Sequence, residues 1–84
     1  MIKLLDDIYI ECSPYGAVVV HSEGVRHKCL HDEPYNSFDE AYEAAKNFII
    51  LGRLSRAGDI SLKDAQQLIL NTEYELENLE LYKW

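Results

Sequence analysis

Cys12, His21, His27, Cys29 and His31 lie close together in the N-terminal part of an 84-residue chain. Thiols and imidazoles at such density can hold a metal or serve as a nucleophile and its base. On an extended strand successive side chains alternate, so His27, Cys29 and His31 would project from one face, with His21 on a neighbouring strand. Zinc takes four such ligands in a tetrahedron, at about 2.0–2.3 Å. No CxxC pair accompanies these residues, however, and that spacing usually builds structural zinc sites. Nucleophilic catalysis would need a thiolate beside an imidazole in an electropositive pocket. Neither cysteine is followed by a glycine-rich turn that could stabilise an oxyanion. The expectation is two half-buried thiols and three surface imidazoles, with no cofactor, no metal and no enzymatic activity. A small metal- or thiol-dependent regulator using Cys12, His21, His27 and Cys29 is the alternative.

Two other chemistries can be weighed from charge and spacing. Gly58 sits in a short turn between helical stretches, as in a helix-turn-helix reader of DNA. The second stretch offers Lys63, Gln66 and Gln67, but then Glu73, Glu75, Glu77 and Glu80, which would face phosphate. Direct nucleic-acid binding is therefore not expected. Asp59 with Asp64, and Asp32 with Glu33, lack the alternating oxygen ligands of a calcium loop.

Six tyrosines and one tryptophan are many for this length, and Tyr9, Tyr35, Tyr42, Tyr74 and Tyr82 lie near acidic residues. Such rings anchor interfaces, because each combines a rigid apolar body with a polar tip. Lys and Arg number 8 against 15 Asp and Glu, a formal net charge of −7. The balance disfavours docking on anionic membranes and suits a basic or nucleic-acid-binding protein as partner. Glu73, Glu75, Glu77 and Glu80, joined by Asp39, Glu40 and Glu43, are the expected acidic surface. Tyr74, Tyr82 and Trp84 are its expected anchors. Carboxylates so placed can stand where phosphates lie in a nucleic-acid groove, as in phage inhibitors of restriction or CRISPR enzymes. That likeness is one of type, with no motif behind it.

These residues need elements to position them. Residues 1–31 read as sheet: DIYIEC alternates, SPYG reverses the chain, AVVVH is β-branched, and VRHKCL suits an edge strand. The period then changes. Ser37 with Glu40, and Ser61 with Asp64, are capping boxes that open helices over 37–57 and 61–80. Gly58 closes the first helix, and Gly52 is tolerated inside it. The acidic end from Glu73 to Trp84 either continues the second helix or lifts away from it. The fold expected is α+β: an N-terminal antiparallel β-hairpin or three-stranded sheet packed against a C-terminal two-helix hairpin, in a single domain over 1–84. Its core is drawn from Ile8, Ile10, Val18, Val20, Phe38, Tyr42, Phe48, Ile49, Leu62, Ile69 and Leu76. Leu62, Ile69, Leu76 and Leu79 also form a seam on which a homodimer could be built. The N-terminus has Asp6 and Asp7 directly after Leu4 and Leu5, which leaves no export segment. A cytoplasmic location with free thiols is expected.

Overall fold

The computed structural model describes residues 1–24 and 26–82, with the backbone alone for 80–82. It has a four-stranded antiparallel sheet followed by two helices, an α+β arrangement. The strands are β1 (Ile2–Lys3), β2 (Ile8–Ser13), β3 (Gly16–Glu23) and β4 (Arg26–Cys29), paired in chain order. The helices are α1 (Phe38–Ala57) and α2 (Leu62–Tyr82).

The sheet is one strand wider than expected, because the chain start folds back on β2 with Ile2 opposite Ile10. A two-residue strand is too short to show a period. Its turn is nevertheless written in the residues. Asp6 and Asp7 both have positive φ, 54° and 61°, and Ile8 N–H bonds to the Leu5 carbonyl at 3.0 Å. Two consecutive left-handed residues at the centre of the Leu5–Ile8 turn match the φ values of a type I′ turn, which Asp tolerates. Each still costs about 1 kcal/mol in this region.

At the β2–β3 turn Ser13 pairs with Gly16, leaving Pro14 and Tyr15 as the loop. Gly16 is obligatory. Its φ is 145°, and a Cβ there would lie 2.5 Å from the Tyr35 carbonyl oxygen. That closeness arises because Ala17 and Tyr35 exchange both backbone hydrogen bonds, at 2.9 and 2.8 Å.

Register decides which valines face the helices. Ile10 lies opposite Val19 and Cys12 opposite Ala17, so Ala17 and Val19 join Ile8 and Ile10 in the buried cluster. The core expected from Val18 and Val20 is corrected accordingly: both point to the far face, with Tyr9, His27 and Cys29. Val20 is still only 4% exposed. The Tyr9 and His27 rings, 6.4 Å apart and edge to face on the strands either side, account for that cover.

Ala41, Ala45 and Ile49 recur at helical spacing on the face of α1 that meets β2 and β3. Small alanines let the helix approach the sheet closely. The α2 backbone packs on α1 and, among the described residues, on no strand. It still sends Leu76 into the core at 1% exposure, with Leu79 packed against it. Phe38 and Leu62, expected inside, are exposed. Both sit at the first residue of their helix.

Both caps form. Ser37 Oγ accepts from Glu40 N–H at 3.2 Å, and Glu40 reaches Asn36 N–H at 3.1 Å. Ser61 Oγ accepts from Asp64 N–H at 3.1 Å. Gly58 closes α1 with φ 73°. Gly52 lies within the regular helix, where glycine costs about 1 kcal/mol against alanine.

Candidate functional site

The metal-type residues do not converge. Cys12 and His21 share the helix-facing side of the sheet, whereas His27 and Cys29 share the other. His27 and His31 are four residues apart, but the chain between them is extended and then bends. Among the described residues no group of three or more His, Cys, Asp or Glu is placed to hold a metal. Cys12 and Cys29 are exposed free thiols, where half-burial was expected.

His31 has a structural task that its spacing does not reveal. Its Nε2 accepts the Val19 N–H at 2.8 Å, and Nδ1 lies 2.6 Å from the Glu33 carbonyl oxygen. A backbone N–H can only donate, so the ring is the neutral tautomer with its hydrogen on Nδ1. The imidazole thus takes the place of a strand carbonyl beside β3, between the Leu30–Val19 and Tyr35–Ala17 backbone bonds. The Tyr35 ring, 4.3 Å away, holds it in position.

The acidic residues divide into two groups. Positions two apart on a helix lie roughly 160° apart around its axis. Glu75 therefore faces away from Glu73 and Glu77 and, though exposed, is engaged by Arg53. Arg53 donates from Nη1 and Nη2 to Glu75, both at 3.2 Å, and from Nε and Nη2 to Asp6 at 2.8 and 3.0 Å. It also reaches the hydroxyl of fully buried Thr72 at 3.2 Å. Arg56 adds a bond to Asp6 at 3.0 Å. One guanidinium thereby joins the β1–β2 turn, α1 and α2. These partners act on acidity in both directions. The Arg53 hydrogen bonds, then the charges of Arg53 and Arg56, hold the Asp6 carboxyl below its ordinary value of 3.8. Asp6, then Glu75, raises the Arg53 guanidinium still further.

On the opposite side of α2, Leu70, Glu73, Tyr74 and Glu77 follow at i, i+3, i+4 and i+7, one continuous stripe. Leu70 is 60% exposed and Tyr74 65%, while Glu77 is exposed and Glu73 partly so. Arg53, near the end of α1, meets Thr72 and Glu75, so α2 runs back along α1 toward its first turns. There Asp39, Glu40 and Glu43 are exposed, with Glu43 3.3 Å from Lys46. Exposed Phe38 and Tyr15 lie at the same end, beside a shallow cleft lined by Pro14 and Asn36. Of these two rings Phe38 was expected in the core. Only the meeting of the β2–β3 turn with the start of α1 exposes them together. The expected roles of Glu80, Tyr82 and Trp84 fall on side chains outside the described residues.

Of the seam expected for a homodimer, Leu76 is buried and Leu79 packs on the core, whereas Leu62 is exposed and Ile69 partly so. No helix is long and apolar enough to cross a membrane among the described residues. No protein-family model, curated protein or solved structure matches the chain.

Proposed function

We propose that the chain is a non-enzymatic acidic interaction module. It binds a basic, nucleic-acid-handling protein by setting carboxylates where phosphates would lie. The pointed form of this reading is an inhibitor of a restriction or CRISPR nuclease.

The observation that carries it is the outward stripe of α2. A helix that already buries Thr72 and Leu76 has no packing need for Leu70 and Tyr74 on its far side. A tyrosine and a leucine so exposed, flanked by Glu73 and Glu77, combine an anchor with charge that steers a basic partner. Asp39, Glu40 and Glu43 extend the negative surface toward the N-terminus of α1. Glu75 does not belong to it, because its carboxylate is held by Arg53.

The test is inhibition of a panel of restriction endonucleases and CRISPR nucleases by the purified chain. The wild type should block one of them near equimolar ratio. The double reversal Glu73→Lys/Glu77→Lys should relieve the block at least about 100-fold, and Tyr74→Ala about 10-fold or more. Circular dichroism should stay unchanged, since these groups face solvent. Absence of inhibition across the panel, or inhibition indifferent to the double reversal, rejects the reading.

A further inference from the structure

A cleft of about 230 Å³ opens between the C-terminal half of α1 and the sheet, at the β1–β2 turn. One wall is apolar, with Phe48 from α1 and Ile8 and Leu30 from the sheet side. The other is polar, with Asp6, His21 and Arg56. Gly52 lines the cleft from α1, and any larger residue there would take up its space.

The polar wall has donors to spare. Asp6 is occupied by Arg53 through two hydrogen bonds and by Arg56 through one. Arg56 spends a single N–H on that contact and is largely exposed. Its Nε and Nη1 make no hydrogen bond among the described residues. His21 has Nδ1 3.4 Å from Glu23, which leaves Nε2 unengaged among the described residues. Lys28 lies opposite His21 on the same face of the sheet, with Arg26 two pairs further on, opposite Glu23. Arg26, Lys28, Arg53 and Arg56, four of the chain's eight cations, lie toward this end together with Asp6, Asp7, Glu23 and Glu75, and of these cations Arg56 lines the cleft. Asp6, which lines the cleft, has a left-handed backbone, and strained backbone of this kind clusters at ligand clamps.

We infer that this cleft binds a small organic anion: one carboxylate on a single aromatic ring or branched aliphatic body. The carboxylate takes the free N–H groups of Arg56. The apolar body lies between Phe48 and Ile8. A pocket with an apolar floor and a few converging polar groups suits such a ligand, and an arginine fork gives it orientation. The site is independent of the acidic stripe on α2.

The probes are benzoate, benzyl alcohol and benzylamine, titrated into the full chain while amide resonances are followed by NMR. Benzoate should shift Ile8, His21, Leu30 and Gly52 saturably. Benzyl alcohol and benzylamine should bind at least about 10-fold more weakly, because they lack the charge that Arg56 reads. Arg56→Gln, at an exposed position, should weaken benzoate to the same degree, and Gly52→Val should abolish its binding. If Gly52→Val does not fold, Arg56→Gln decides alone. Three results overturn the assignment: no saturable shift with benzoate, equal binding of benzyl alcohol, or benzoate affinity unchanged in Arg56→Gln.

Discussion

Arg53 shows how much one side chain can hold together here. It ties a turn and two helices by five hydrogen bonds, on partners 47, 19 and 22 residues away in sequence. Replacing it by Met leaves Glu75 unpaired and Asp6 with Arg56 alone. The partners are partly solvated, so the expected loss is about 1–2 kcal/mol, below that of a dry ion pair. Urea unfolding at pH 7 measures it. The pH dependence follows from Asp6, whose folded carboxyl is held below its ordinary value of 3.8. A depressed acid stabilises the fold above the unfolded value, and that stability is lost as pH falls below it. Asp6→Asn should therefore flatten the decline in stability between pH 5 and about pH 2, read as urea midpoints. His31 is a second single-residue dependence. His31→Ala removes the acceptor of Val19 N–H and should cost about 1–3 kcal/mol, with faster hydrogen exchange at Val19.

Among the elements, the helices were the most legible. Ser37, Glu40, Ser61 and Gly58 are local signals acting within four residues; the Ser37 box closes from both sides, and at Ser61 the hydroxyl caps the Asp64 N–H. The strands were less so. In AVVVH no polar residue marks the alternation, so Val18 and Val20 are as good a guess as Ala17 and Val19. Only pairing with Ile8 and Ile10 decides, and a shift of one residue exchanges the two faces. The Asp6–Asp7 turn was readable in principle, because consecutive aspartates between apolar residues are suited to two left-handed positions. Gly52 is the element-scale exception. A glycine inside α1 weakens the helix, and a Cβ there would meet just the Arg56 Nη1, at 3.5 Å. Gly52→Ala should thus stabilise the protein by about 0.5–1 kcal/mol, measured by thermal melting.

For the whole molecule, the distribution of charge matters more than its sum. At the β1–β2 turn Arg53 and Arg56 are paired with Asp6 and Glu75, while Glu77 and Asp39 are exposed along the helices. Exposed carboxylates make association with a basic partner sensitive to screening. Raising salt from about 50 to about 500 mM shortens the Debye length severalfold. The association rate with that partner should fall at least about 10-fold while dissociation changes little, as read by surface plasmon resonance.

Taken by itself, the order of residues determined the α+β class, the helix caps and an acid excess that repels phosphate, because all of these depend on neighbours in the chain or on composition. The tertiary structure alone decided which acids are free. Glu75 and Glu73 are equivalent as letters, yet it is Glu75 that is bound to Arg53, since contacts between distant segments depend on how the helices cross. The same packing separated Cys12 and His21 from His27 and Cys29 by the thickness of a sheet, and it opened a cleft beside Arg56 that no spacing announces.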